Sequence, residues 1–120
     1  MSDKLEPLAR QLEASPDYRV LRRFVPPSRY HEGDGSPTAT GVVVDVETTG
    51  LDPSRDKIIE FCGVPFEFER ESGRILAVRE AVSYLEDPGR PIPAEVTKLT
   101  GITDAMVAGK RIDEAAVGNL

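Results

Sequence analysis

A chain of 120 residues has room for one domain at most. With 39% hydrophobic and 30% charged residues it has the make-up of an ordinary soluble globular protein, and a net charge of −6 argues against a coat protein held to nucleic acid by a bulk positive field. No apolar run approaches the ~20 residues of a membrane span, the start MSDKLEPLARQLEAS lacks a signal-peptide core, and the lone Cys62 reads as a reduced core residue, which together point to the cytosol and to no membrane partner.

Asp3-Lys-Leu-Glu6 reads as a capping box, and Leu5, Leu8 and Leu12 follow at helical spacing. Ser15-Pro16 reads as a second helix start. Tyr18, Leu21, Phe24 and Val25 then share an apolar face, with Arg19, Arg22 and Arg23 mostly elsewhere. That cluster and Arg29 are roughly cancelled by nearby acids, so a solvated face is the default. Residues 26–40 turn to Pro, Gly, Ser, Thr and Asp, a linker composition. The chain thus divides into a helical extension (residues 1–25), a linker (residues 26–40) and a folded region (residues 41–120).

Gly41-Val-Val-Val-Asp-Val-Glu47 is a β-branched run of the kind buried on both faces of a sheet. Thr48-Thr-Gly-Leu-Asp-Pro53 is a loop. Ile58 to Glu69 is a second strand, with Val64, Phe66 and Phe68 on one face and Glu67 and Glu69 on the other. Pro65 lacks a donor and marks an edge or bulge. Glu71-Ser-Gly73 is a turn, and a third strand runs over residues 74–85. After Pro88-Gly89 three short helices are predicted. One starts at Pro93 and stops at Gly101, one is capped by Thr103 and ends at Gly109, and one begins near Ile112.

Asp45 and Glu47 carry the chemistry. Two positions apart on a strand, they share a face at a separation of about 7 Å. Two carboxylates ending an apolar strand repel each other and are costly to desolvate, and divalent cations would compensate. Carboxylate oxygens suit hard ions such as Mg²⁺ and Mn²⁺, and two-metal phosphoryl-transfer sites are flanked by carboxylates. Ions of that kind would also supply the positive charge that a −6 chain lacks. A lone Asp-x-Glu is more often a solvated strand end or a salt-bridge partner. The whole string, VVVDVETTGLDP followed by DKIIEFCGVPF, is far more specific.

GVVVDVETTGLDP resembles the first motif of the DEDD (DnaQ-like) 3′–5′ exonuclease superfamily, which includes the proofreading epsilon subunit of bacterial DNA polymerase III. In that motif, Asp-x-Glu-Thr-Thr/Ser-Gly, the acids bind the catalytic metals and the Thr-Gly turn approaches the 3′-terminal nucleotide. The resemblance implies catalytic and metal roles for Asp45 and Glu47, and substrate binding by Thr48, Thr49 and Gly50. The segment IIEFCG matches the family's next strand with one residue of slack before Gly63. PIPAEVTKLTGITDAMVAGK, residues 91–110, is similar to the stretch after the third strand. It suggests that Leu99, Thr100 and Ile102 line the terminal-nucleotide pocket, although helix packing explains Leu99 and Ile102 equally well.

The implied fold is α/β and ribonuclease H-like, with an antiparallel meander of three strands followed by helices. The implied cofactors are two Mg²⁺ or Mn²⁺ ions. The implied partners are a single-stranded nucleic-acid 3′ end, DNA before RNA, and a DNA polymerase or another replication or repair protein. The family needs two further aspartates, one from a later Asn-x-x-Phe-Asp segment and one from a C-terminal helix, with His or Tyr just before the last. None can be placed here. Asp104 reads as a first-turn acid, Asp113 as an N-cap and His31 as a solvated loop residue, while Glu60 reads as an ion-pair partner of Arg or Lys. The chain therefore reads as the N-terminal portion of such a domain, inactive by itself. Two rivals remain. A haloacid-dehalogenase-like phosphatase would use Asp45 as nucleophile, but its motif is followed by a helical turn rather than two long strands. A non-catalytic interaction module would use the partial core for nucleic-acid or protein binding.

Overall fold

A computed structural model describes residues 4–120. Helix α1 spans Glu6–Glu13, with Pro7 in its first turn, where a missing N–H costs nothing. The expected capping residue Asp3 lies outside the described residues, and Leu5 occupies the N-cap position without a side-chain bond. The predicted second helix does not form. Residues 18–27 have no regular structure, and Tyr18, Leu21, Phe24 and Val25 are all exposed. Tyr, Phe and Val lose side-chain freedom in a helix, and Val25 precedes Pro26, which disfavours helical backbone. No packed surface overrides that weak propensity. Arg22 instead ties this segment back to α1, bonding Glu6 at 3.0 Å and also Glu13. Arg22 holds both carboxyls below the ordinary glutamate range.

Part of the predicted linker belongs to the sheet. The Tyr30 N–H donates to the Leu76 carbonyl at 2.7 Å, the Val78 N–H donates to the Ser28 carbonyl at 2.9 Å, and Arg29 bridges to Ala77. Strand β1 begins at Thr38 rather than residue 41 and runs to Thr48. It pairs antiparallel with β2, Ile58–Glu69, from Thr38 opposite Glu69 to Thr48 opposite Ile58. The predicted third strand is two short ones, β3 (Ile75–Val78) and β4 (Val82–Leu85), both along the other edge of β2. The gap between them coincides with Pro65. β3 pairs with Phe66 to Phe68 and β4 with Glu60 to Gly63, so on this edge the residue without an N–H faces neither of them, while on the other side it lies opposite Val42 of β1. Pro65 thus sits in the middle strand, and the neighbouring strand breaks to accommodate it. The Arg79 N–H still donates to the Pro65 carbonyl at 2.8 Å.

The meander β1–β2–β3 followed by helices is the order expected of a ribonuclease H-like fold. Burial of β1 on both faces is not found. It is an edge strand among the described residues, and Val43, 61% exposed, and Val44, 53% exposed, point to opposite faces that no other element covers. Glu69, read as lying on the face opposite Val64, Phe66 and Phe68, is buried and accepts the Ser72 hydroxyl at 2.5 Å, which closes the β2–β3 turn.

The core gathers at the start of β2. Ile59, fully buried, packs with Ile92, Ile102 and Val107, and Leu85 and Val96 cover them. Helices α2 (Ala94–Thr100), α3 (Asp104–Val107) and α4 (Glu114–Gly118) follow. Gly101 ends α2 with φ of 78°, Thr103 caps α3, and Asp113 caps α4 by accepting the Ala116 N–H at 2.9 Å. Asp104 also accepts the Ile92 N–H at 2.8 Å, which ties α3 to the segment leading into α2. No helix among the described residues is long and apolar enough to cross a membrane.

Candidate functional site

The pleat of β1 puts Asp45 and Glu47 on one face. The register places Cys62 opposite Asp45 and Glu60 opposite Glu47. Directly opposed residues on antiparallel strands share a face, with Cβ atoms about 4.5–5.5 Å apart. One end of this face therefore carries three carboxylates and a thiol. Asp45 is exposed and the other three are half-buried. Water access keeps their mutual repulsion modest. Glu60 makes no ion pair with Arg or Lys among the described residues, so its expected role as a salt-bridge partner is not found. Its place opposite Glu47 comes from strand register, which local sequence does not reveal.

A β-bulge lies at this end. Glu47 faces Glu60 while Thr48 faces Ile58, which leaves Ile59 as an extra residue in β2. A bulge bends its strand and increases the local twist. The extra residue is the fully buried Ile59, so the acidic end of the sheet is anchored to the core directly behind it.

The Thr-Thr-Gly loop follows. The Thr48 hydroxyl donates to the Gly50 carbonyl at 2.5 Å. Thr49 is buried, and its hydroxyl is fully used. It donates to Asp56 at 2.9 Å and accepts from the Lys57 N–H at 3.0 Å and from Arg90 at 3.2 Å. One donor and two acceptor positions are all that a hydroxyl has. The Thr49 N–H is also committed, to the Lys57 carbonyl at 2.9 Å. The Thr49 hydroxyl and N–H are therefore both committed within the loop, which they hold in place.

Asp56 and Arg90 complete that hold, and sequence reasoning missed both. Asp56 accepts the Asp52 N–H at 2.9 Å and pairs with Arg90 at 3.2 Å, and Arg90 also bonds the Arg55 carbonyl. Asp56 sits four residues after Asp52, a loop-closing spacing that could have been read. Arg90 is 41 residues from Thr49, and nothing local announces it. The Asp52 N–H and the Thr49 hydroxyl, with Arg90 adding to them, hold the Asp56 carboxyl below the ordinary aspartate range. A lowered carboxyl contributes stability that is full above its unfolded pKa and fades as pH falls through the lower folded value. The loop should loosen only in acid, below about pH 4.

Gly50 must be glycine for a related reason. A Cβ there would lie 2.7 Å from Asp56 Cγ and closer still to Oδ2. That carboxylate is fixed by Thr49, Asp52 and Arg90 and cannot swing away. Gly50→Ala should cost about 1–3 kcal/mol by forced displacement. Thermal melts should show it, and an unchanged midpoint would mean that the latch is loose.

The second group of expected pocket residues separates. The Thr100 hydroxyl donates to the Val96 carbonyl at 2.8 Å and accepts the Ile102 N–H at 3.1 Å, so it closes the end of α2. Ile102 is core. Leu99 is 86% exposed, so helix packing does not account for it.

Among the described residues, no three His, Cys, Asp or Glu side chains converge as a metal cage. Asp45 and Glu47 present oxygens of the right kind for Mg²⁺ or Mn²⁺, and they supply part of the number such ions need.

Comparison with known proteins adds to this geometry. The RNase_T family model, described as exonuclease, matches residues 42–118. The DNA polymerase III PolC-type protein of Listeria welshimeri is 47% identical over 75 residues, covering 62% of this chain and 5% of that protein. The DNA polymerase III subunit epsilon of Aquifex aeolicus is 41% identical over 71 residues, covering 59% of this chain and 32% of its own length. A DNA polymerase III subunit epsilon-like protein of Rhodobacter capsulatus is 47% identical over 70 residues, covering 58% of this chain and 9% of that protein. The chain thus spans between a twentieth and a third of these relatives' lengths.

Proposed function

Because this chain belongs to the exonuclease family, we propose that Asp45 and Glu47 are two carboxylates of a metal-dependent 3′–5′ exonuclease site. The substrate is a phosphodiester at a nucleic-acid 3′ end. One observation carries the reading: both acids lie on one face at the end of β1, beside a bulge and a loop held by buried Thr49. Divalent ions held there would supply the positive charge needed to lower the pKa of an attacking water and to neutralise a leaving oxygen. Asp45 and Glu47 would hold the ions from the sheet side, with the remaining ligands contributed by further aspartates. Thr49, Asp56 and Arg90 position the loop, so that Thr48 and Gly50 meet the terminal nucleotide at a fixed distance from the carboxylates. Exposed Leu99 offers an apolar contact for a base.

The names of the relatives favour DNA over RNA and a DNA polymerase as partner, and we propose the cytoplasm as the place where they meet. We assign residues 41–120 to the N-terminal part of the exonuclease domain and residues 1–25 to an extension. Within residues 26–40, the stretch 28–31 is an arm on β3.

The test uses two substrates. In Mg²⁺ or Mn²⁺, the 120-residue chain should not trim 5′-labelled single-stranded DNA. Two carboxylates cannot fix both ions and orient a water in line with the leaving oxygen. A longer form that supplies the two further aspartates should release single nucleotides. Hydrolysis of p-nitrophenyl phosphate that depends on Asp45, with no trimming by the longer form, would favour the phosphatase reading. Neither activity in either form would favour an interaction module.

A further inference from the structure

The negative charge of the chain is unevenly spread. Residues 1–31 hold six of the fifteen Lys and Arg but four of the twenty-one Asp and Glu, so this region is +2 and residues 32–120 are −8. Within it, residues 18–31 contain Arg19, Arg22, Arg23 and Arg29, the rings of Tyr18, Phe24 and Tyr30, and no acid. The structure separates these arginines. Arg22 is bonded to Glu6 and Glu13, and Arg29 to Glu32 at 3.0 Å. Arg19 and Arg23 make no ion pair among the described residues, so the nearby acids cancel only half of the cluster. Tyr18 and Phe24 flank them on the stretch without regular structure, residues 18–27.

We infer that residues 18–24 bind a single strand of nucleic acid, with Arg19 and Arg23 on phosphates and Tyr18 and Phe24 stacked on bases. A guanidinium suits phosphate oxygens, and an aromatic face takes any base that is not already paired. That this strand is the substrate rests on the exonuclease reading, and the placement of the arm agrees with it. The Val78 N–H donates to the Ser28 carbonyl and the Tyr30 N–H to the Leu76 carbonyl, so the arm runs antiparallel to β3 and residues 18–27 leave it on the side of β4. β4 ends at Leu85, opposite Glu60, which in turn faces Glu47. From the level of Val78 to that of Leu85 the sheet extends roughly 20 Å, and a ten-residue stretch such as 18–27 spans up to about 33 Å when extended. A strand held by the arm is thus within reach of Asp45 and Glu47. The arm supplies the attraction that the acidic remainder of the chain lacks.

The test is fluorescence anisotropy of a short 5′-labelled oligothymidylate with the 120-residue chain, in EDTA and at low salt. Without metal the carboxylate site takes no part, so failure of the arm and failure of the exonuclease reading are separate results. The wild type should bind, with an affinity that falls as salt rises. Arg19→Gln with Arg23→Gln should weaken binding at least tenfold and lower the salt slope by about 1.4, at about 0.7 for each phosphate contact on a single strand. Arg70→Gln with Arg74→Gln, the same charge change at the β2–β3 turn, should leave binding within about twofold. Phe24→Ala should weaken binding at least fivefold by removing a stacked base. Heparin, which has the charge and no bases, should bind Phe24→Ala as well as it binds the wild type. Far-UV circular dichroism should be the same for all, since the substituted residues of the arm lie outside helix and strand. A wild type that does not bind the oligonucleotide, equal weakening by the two arginine pairs, or a Phe24→Ala variant that loses heparin and DNA alike would overturn the inference.

Discussion

Replacing Asp45 with alanine, in a longer form that supplies the two further aspartates, should lower 3′ release on the order of 10⁴-fold. The loss should fall on kcat. Asp45 lies on the same strand face as Glu47, and ions held by such a pair act on the reacting oxygens rather than on the distant nucleotides of the substrate. Members of a unit of this kind are not additive, so Asp45→Ala with Glu47→Ala should be little worse than either alone. Gel assays with 5′-labelled DNA over a range of substrate concentrations measure both parameters. A loss below tenfold would remove Asp45 from the site. In the metal-free chain the same substitution should not destabilise the fold, because it relieves repulsion among Asp45, Glu47 and the facing Glu60.

Ile59→Ala should be the most damaging single substitution in the 120-residue chain. Ile59 is the extra residue of the bulge and, with Val107, a fully buried member of the cluster that includes Ile92 and Ile102. Truncating a buried isoleucine costs about 2–5 kcal/mol. Domains are stable by only about 5–15 kcal/mol in all. The described residues here bury few large hydrophobics and leave β1 bare, so the low end of that range applies. The variant should keep only about 0–3 kcal/mol, and its thermal midpoint by circular dichroism should fall by about 10 °C or more. Leu99→Ala, at an exposed site, should change stability by less than about 0.5 kcal/mol. A wild type with a sharp, reversible, monomeric transition far above ambient temperature would contradict this picture of a thin core.

Local patterns foretold much of this fold. The limits of β2, and helices at Pro93, Thr103 and Asp113, follow from strand alternation, turn residues and caps, all short-range signals. What depended on distant partners was not legible. Tyr18 to Val25 have helical spacing, yet no surface receives them, and Arg22 draws the segment to Glu6 and Glu13 instead. Val42 to Val46 look like a buried strand, because composition reports what a strand could bury and not whether a neighbour is present. The two halves of the third strand separate at Pro65, a residue of a different strand. At the site, Asp45 and Glu47 stood out through the whole string VVVDVETTGLDP, since their spacing alone fits a solvated strand end. Asp56, Arg90 and the position of Glu60 depend on tertiary contacts. Thr49 was read as a ligand contact, whereas its hydroxyl is consumed within the loop.

The most direct test of the metal assignment is a Mn²⁺ titration of the ¹⁵N-labelled chain, followed residue by residue in amide NMR spectra. Paramagnetic broadening reports an ion even when binding is weak, as it should be with only part of the ligand set present. Resonances of Val44 to Thr48 and of the facing Glu60 to Cys62 should broaden first. Asp45→Asn should abolish that pattern while leaving the rest of the spectrum in place. Broadening that begins elsewhere, at Asp52 and Asp56 or at Glu86 and Asp87, or that survives Asp45→Asn unchanged, would contradict the assignment of Asp45 and Glu47 as the metal-binding carboxylates.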